Sequence, residues 1–370
     1  MPTTTIFPPD ERTVAELTRH VDGVASVYLA QTVAAEDHSA RWHAVSQRLR
    51  RAGASENTVV AMGSAVRTVA ASGDGLAVFA TADAEPVVLR VPGLTGPDRA
   101  DWSPVARLAP ILAWLRDRPP YVLVVTDRTG ADIHTAPGFG QPERVSSVLG
   151  PDDEIERNAP GGQAQPRYQR RAEDSWRHNA AAVAQACERE LRTSGARLLV
   201  ICGDVRAVQL FEERLPGWIR TETTIRHISG GRSLDGSQSH RGETLAEVAR
   251  AAAAQWTSDL LARFAEQRAP HGLAVDGELA TLEALTEDRA AALLVVRDDT
   301  DTRTAWLGDQ PTRILPATQD PPGSWSHRTS GPLLDTAIHA ALRTGTQVHI
   351  LDQGTPGAPA EGLGAICRFH

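Results

Sequence analysis

Two uninterrupted apolar runs, Tyr121-Val122-Leu123-Val124-Val125-Thr126 and Leu198-Leu199-Val200-Ile201, constrain the fold of this chain more than any other feature. A strand with one wet face alternates polar and apolar side chains, whereas an unbroken run of strand formers belongs to a strand covered on both faces. After the first run, Arg128-Thr129-Gly130-Ala131 turns the chain back into Asp132-Ile133-His134 as a hairpin. Between the runs, Tyr168, Ala172, Trp176, Val183, Ala186, Cys187 and Leu191 recur at helical intervals on one stripe. Pro166 suits the first turn of that helix, where its missing N–H is not needed. A helix over 205–215 and a strand near 224–228 complete an α/β unit.

The rest of the chain reads as more α/β structure. At 370 residues it suits two or three domains of about 100 to 150 residues each. Strands are expected at 25–29, 75–79 and 86–91, helices at 40–51, 56–71 and 105–114, and a surface loop around Pro92-Gly93 and Gly96-Pro97. Pro119-Pro120 marks a boundary. Residues 138–166 show little periodicity and much turn chemistry, a length of irregular chain that is more often functional than filler. A polar, flexible hinge is expected over 230–242 and a long bridging helix over 243–268, followed by a small α/β/α sandwich. The division is therefore 1–118, an N-terminal mixed α/β domain, 119–268, a central domain, and 269–370, a C-terminal α/β/α domain.

Composition removes several function classes. The net charge of −8 argues against indiscriminate coating of nucleic acid, although an acidic body can carry a local basic surface. There is no lysine, so every basic side chain other than histidine is arginine. Cys187, Cys202 and Cys367 lie far apart in apolar surroundings and read as small buried side chains, with neither a zinc spacing nor a disulfide framework. No signal peptide and no apolar stretch of about 18 residues is visible, so the expectation is a cytoplasmic protein without a membrane partner. No P-loop, His-Glu-x-x-His or dinucleotide fingerprint is present, and neither a cofactor nor a metal is expected.

Within the irregular stretch lies Gly161-Gly162-Gln163, followed by Arg167, Tyr168, Arg170 and Arg171. Two glycines let a backbone press against a crowded ligand, because they lack Cβ and tolerate positive φ. The tripeptide, the spacing to Arg167 and Tyr168, and the long helix after them resemble the central domain of the archaeal and eukaryotic class-one release factors and of Pelota. Leu198 to Asp204 resembles that family's buried strand and glycine turn, and Ile228-Ser229-Gly230-Gly231 its closing glycine pair. Leu279 to Leu285 with Ala292 to Val296, and the ending Gly362 to Phe369, resemble its third domain. The overall plan is most similar to bacterial, in particular actinobacterial, members, the branch that includes the hibernation factor Balon.

The resemblance implies an RNase H-like central domain and a protein that enters the ribosomal A site. There, Gly161 and Gly162 would permit close approach to the peptidyl transferase centre, and Gln163 would position water against the ester of peptidyl-tRNA, a demand for placement rather than for a strong base. Arg167, Arg170, Arg171 and Arg177 would meet phosphates of large-subunit RNA. A translational GTPase of the EF-Tu type is the implied partner of the third domain. Ala164-Gln165-Pro166 departs from the family's usual small-small-aliphatic sequence, and a chain without lysine cannot carry the Asn-Ile-Lys-Ser loop of a stop-codon reader. Codon reading is thus disfavoured, and two readings stay open: rescue with codon-independent hydrolysis, and hibernation by occupancy alone.

A rival from another class is a metal-dependent nuclease, since Asp127 and Asp204 each follow a buried strand, where such enzymes place metal-binding carboxylates. The simpler expectation for both is a turn or capping role. His178, beside Trp176 and Asn179, reads as a helix-surface or packing residue.

Overall fold

A computed structural model of the protein describes residues 6–7, 11–21, 23–31, 37–69, 74–82, 85–138, 143–150, 165–232 and 237–369. Contacts group the chain into two compact units, one made of 1–116 with 257–370 and the other of 117–256.

The first segment contributes β1 (Ile6–Phe7), α1 (Glu11–Glu16), β2 (Val24–Leu29), α2 (Asp37–Ala52), α3 (Glu56–Val69), β3 (Gly75–Thr81), β4 (Val87–Val91), β5 (Arg99–Ser103) and α4 (Ala109–Arg116). The strands form one sheet in the order β1-β4-β3-β2-β5, parallel between β1 and β4 and antiparallel elsewhere. Val27, Leu29, Leu76 and Val78 bury one face of it with Val45, Leu49, Val59 and Met62 of α2 and α3. β5 is an unexpected strand; all its residues are half-buried, so it lacks a clear apolar run. The expected helix at 105–114 begins only at Ala109. Pro110 has no N–H to give to an upstream carbonyl, so the turn cannot extend towards Val105.

The unit 117–256 contains β6 (Tyr121–Asp127), β7 (Gly130–Ala136), β8 (Arg144–Leu149), α5 (Gln165–Ser194), β9 (Leu198–Gly203), α6 (Val205–Arg214), α7 (Gly217–Glu222), β10 (Thr224–His227) and the first part of α8 (Ser237–Gln267). Its sheet runs β10-β9-β6-β7-β8, with β6, β7 and β8 an antiparallel meander and β6, β9 and β10 parallel. This is the RNase H-like arrangement expected for the central region. The two apolar runs are covered on both faces. Val122, Val124, Leu199 and Ile201 join Val183, Cys187 and Leu191 of α5 and Phe211 of α6. Their neighbours Leu123, Val125, Leu198 and Val200 join Leu245, Ala249 and Ala252 of α8 on the opposite face. Each fully buried Val or Leu contributes about 1.5–3 kcal/mol. β8 was hidden in the irregular stretch because it is a largely exposed edge strand with no buried stripe to betray it. α8 starts at Ser237 rather than 243, so 237–242 are helical and not a hinge; their polar sequence carries no apolar period.

The last segment adds β11 (Ala274–Asp276), α9 (Glu278–Thr286), β12 (Ala290–Val296), β13 (Thr304–Gly308), β14 (Ile314–Pro316), β15 (Arg328–Pro332), α10 (Leu333–Arg343), β16 (Gln347–Leu351) and β17 (Leu363–Cys367). The sheet β11-β17-β12-β16 is sandwiched, as an α/β/α layer should be. Ala292, Leu294 and Ile366 meet Leu260, Leu261 and Phe264 of α8 on one face. On the other, Leu293, Val295 and Ala365 meet Leu282 of α9 and Ile338 of α10. The same core includes Tyr28, Phe79, Leu89, Ile111 and Trp114, so the first and last segments share one hydrophobic interior. Arg99 pairs with Asp299, and Arg116 Nη1 donates to the Ile350 carbonyl at 2.8 Å within this unit. Among the described residues no helix is long and apolar enough to cross a membrane.

Candidate functional site

Gly161, Gly162 and Gln163 lie outside the described residues, between Gly150 after β8 and Gln165 at the start of α5. Arg167, Arg170 and Arg171 fall in the first turns of α5. Arg177 lies further along the same helix and is exposed. At 3.6 residues per turn the four positions fit within an arc of roughly 120°. That arc lies opposite the face that buries Val183, Cys187 and Leu191. The helix that includes these four positions is about 45 Å long, given 30 residues at 1.5 Å each.

The tight turn joining β6 to β7 gathers four separate segments. Asp127 Oδ1 accepts from the Thr129 N–H at 2.8 Å, the Thr129 hydroxyl at 2.7 Å and the Gly130 N–H at 3.1 Å, which closes the turn on itself. The Gly150 N–H donates to the Thr129 carbonyl at 2.8 Å. Asn179 of α5, only 3% exposed, donates from Nδ2 to the Arg128 carbonyl at 3.1 Å. The Arg128 guanidinium lies 4.8 Å over the Trp176 ring, one helical turn earlier, and stands 3.5 Å from Asp204.

The fourth segment is Arg232, which follows Gly230-Gly231 and is mostly buried, its side chain 17% exposed. Its Nη1 donates to Asp127 at 3.1 and 3.2 Å, and its Nε and Nη2 grip both oxygens of Asp132 at 3.1 and 3.2 Å. Burial raises the pKa values of Asp127 and Asp132, but hydrogen bonds and the Arg232 charge outweigh it and hold both below the usual carboxylate value. Asp204 caps α6, accepting from the backbone N–H groups of Arg206 at 3.0 Å and Ala207 at 3.1 Å. Both aspartates thus have the turn and capping roles expected of them. Their oxygens are engaged by backbone and arginine donors rather than directed together at a common point, so the nuclease reading finds no support in them. Among the described residues no group of three His, Cys, Asp or Glu side chains is placed to hold a metal ion.

His178 is exposed on α5, as a helix-surface residue should be. Cys187, Cys202 and Cys367 are buried and not joined in disulfides, and burial pushes Cys187 up to about 12, which keeps it protonated and unreactive. What sequence reasoning missed is the trio Gly150, Asn179 and Arg232. Their only sequence signals were a glycine closing an unrecognised strand, a lone polar residue on the buried side of a helix, and an arginine just after a glycine pair.

Residues 120–270 match the model of bacterial archaeo-eukaryotic release factor family 2. No curated protein matches the sequence. Among solved structures, the archaeal translation termination factor aRF1 is 15% identical, with 98% of this chain and 99% of that chain covered and a TM-score of 0.26. Pelota of Archaeoglobus fulgidus is 11% identical, covering 98% of this chain and 93% of its own with a TM-score of 0.36. Dom34 of S. cerevisiae, a translation termination-like factor that interacts with Hbs1, is 9% identical over 81% and 82% with a TM-score of 0.41. These superpositions are loose, and the sequence match over residues 120–270 carries the relationship.

Proposed function

We propose, from the match of residues 120–270 to the bacterial archaeo-eukaryotic release factor family 2, that this protein is a translation factor that occupies the ribosomal A site in rescue or hibernation. The observation that carries the reading is the family match itself, which spans Gly161-Gly162-Gln163 and the helix whose sequence includes Arg167, Arg170, Arg171 and Arg177. In this reading those arginines contact phosphates of large-subunit RNA, where a planar guanidinium can bond two oxygens at once.

In the rescue mode, Gly161 and Gly162 bring the tip against peptidyl-tRNA and Gln163 places water at the ester carbonyl. The protein's contribution there is position and hydrogen bonding to developing charge. In the hibernation mode the same tip fills the catalytic centre and protects it; the departure at Ala164-Gln165-Pro166 favours this second mode. In this reading 119–268 reach the peptidyl transferase centre, and 269–370 dock a translational GTPase of the EF-Tu type. The compartment is the cytoplasm, and the Balon-containing branch is the one to which the overall plan points.

The deciding experiment is release of labelled peptide from purified ribosomes that hold peptidyl-tRNA and an empty A site, with co-sedimentation on the same samples. Release that disappears in Gln163→Ala while binding persists establishes hydrolysis. Binding without release establishes occupancy. A protein that does not sediment with ribosomes refutes the reading.

A further inference from the structure

Asp335, in the first turn of α10, is buried where the first and last segments of the unit 1–116 with 257–370 meet. Its chain neighbours Leu333 and Leu334 share one core with Leu108, Ala109 and Ile111. The segment that leads into α4 is also held to β2: the Tyr28 hydroxyl donates to the Arg107 carbonyl at 2.6 Å, and the Arg107 N–H donates to Ser26 Oγ at 3.0 Å.

The charges around Asp335 balance only when it is neutral. Those that act on it are Arg107, Asp101 of β5 and Asp299 of the loop between β12 and β13. Arg107 Nη1 already donates to Asp101 at 3.0 Å, its Nη2 stands 3.9 Å from Asp299, and Asp299 is paired with Arg99. Two guanidiniums thus meet two aspartates, and an ionised Asp335 would be a third negative charge, buried and unmatched. Arg303, on the same cleft, is committed to Asp301 and Glu278, and Arg297 stands 3.9 Å from Asp352. Tyr28 adds no charge, because burial and then Asp335 raise its hydroxyl well above the usual value. His339, one turn along α10, is pushed down to about 4 by burial with Arg343 adding to the effect, so it is neutral near pH 7.

Burial raises the Asp335 carboxyl to about 7, with Asp101 and Asp299 adding to it and Arg107 and the Leu108 N–H opposing. An open cleft lined by Asp335, Arg107, Pro110, Pro332 and Leu333 gives water and protons a route to it.

We infer that Asp335 is a proton-controlled joint between the start of α10 and the segment leading into α4: as a neutral carboxyl it lets the two close on their common core, and as an ion it draws water in through the cleft and loosens them. The closed form holds its proton to a higher pH than the open form, whose exposed carboxyl titrates at about 4. Closure is therefore complete below about 4 and weakens as pH rises through about 7. The joint does not depend on the A-site reading of the protein.

Hydrogen exchange of the full-length protein at pH 6 and pH 8, corrected for intrinsic rates, tests this at the amides of 105–112 and 333–338. Protection in both stretches should fall about tenfold at the higher pH, the ratio that linkage gives for a group titrating near 7 when closed and near 4 when open. In Asp335→Asn, which keeps the size and a carbonyl acceptor but has no charge, protection should be the same at both pH values. Adding about 1 M urea should leave these rates unchanged while it speeds exchange in β3, since a local opening exposes little surface. Equal protection at the two pH values in the unsubstituted protein overturns the proposal, as does a fall that persists in Asp335→Asn. Rates that rise with urea in step with β3 also overturn it, because they mark opening of the whole unit. If Asp335→Asn does not fold, carboxyl-carbon NMR titration of Asp335 in the unsubstituted protein decides: a midpoint near 4 overturns the joint, and one near 7 alongside the fall in protection supports it.

Discussion

Gly203, at the end of β9, lies so close to Thr126 of β6 that a β-carbon on it would stand 1.8 Å from the Thr126 carbonyl oxygen. Gly203 also has φ +142, and the next N–H, that of Asp204, donates to the same carbonyl at 3.0 Å. This close approach lets Asp204 leave the strand and cap α6 at once. Gly203→Ala therefore cannot keep the geometry and should lower the stability of the central unit by about 3 kcal/mol, through both backbone strain and collision. Chemical denaturation followed by circular dichroism checks this, and a change of less than about 0.5 kcal/mol would refute the argument.

Arg232 should behave as a charge clamp. Removing it in Arg232→Ala leaves Asp127 and Asp132 without their common cation. Their pKa values should rise, and the unit should lose about 1–3 kcal/mol, the worth of hydrogen bonds to charged groups. Carboxyl-carbon NMR titration of the two aspartates reads the first effect directly.

In the other unit, Asp335 on α10 is 6% exposed. Burial pushes its carboxyl up to about 7; Arg107 opposes this, and Asp101 and Asp299 add to it. Because the folded state holds the proton to a higher pH than the unfolded chain does, the stability from this group is complete below the unfolded pKa of about 4. It is lost as pH rises through about 7. His339, one turn later, has its pKa pushed down to about 4 by burial, with Arg343 adding to the effect, and works in the opposite direction on acidification. The difference between Asp335→Asn and the unsubstituted protein isolates the aspartate. The variant should be more stable at pH 8, on the order of 1–3 kcal/mol, and its advantage should shrink towards pH 5. Denaturation midpoints at the two values check it.

If the outer face of α5 meets RNA, each of Arg167→Ala, Arg170→Ala, Arg171→Ala and Arg177→Ala should weaken ribosome binding. The slope of log affinity against log salt should fall by about one for each phosphate contact removed. Sedimentation across a salt series measures it; an unchanged slope in all four variants would leave these positions as an ordinary solvated helix face.

The α/β class, the two doubly covered strands, the helices of the first segment and the layered last segment follow from local pattern. Strands such as Tyr121–Asp127 and Leu198–Gly203 are apolar on both faces, and helix α5 carries its buried stripe in plain periodicity. The tripeptide Gly161-Gly162-Gln163 and the arginines after it also needed no fold to be noticed. The exposed edge strand Arg144–Leu149 and the polar start of α8 left no such mark, because they owe their structure to a neighbour or to chain continuity rather than to an apolar face.

Only the tertiary structure decided what the turn at Asp127–Gly130 does. Gly150, Asn179, Asp204 and Arg232 are separated by up to 82 positions in the sequence, yet each meets that turn or its arginine. Contacts of that kind depend on sheet order and on the register of α5 against β8, which no window of local sequence contains. Periodicity tells a segment which of its faces is buried; it does not tell a buried amide or guanidinium which distant carbonyl or carboxylate will be there to meet it.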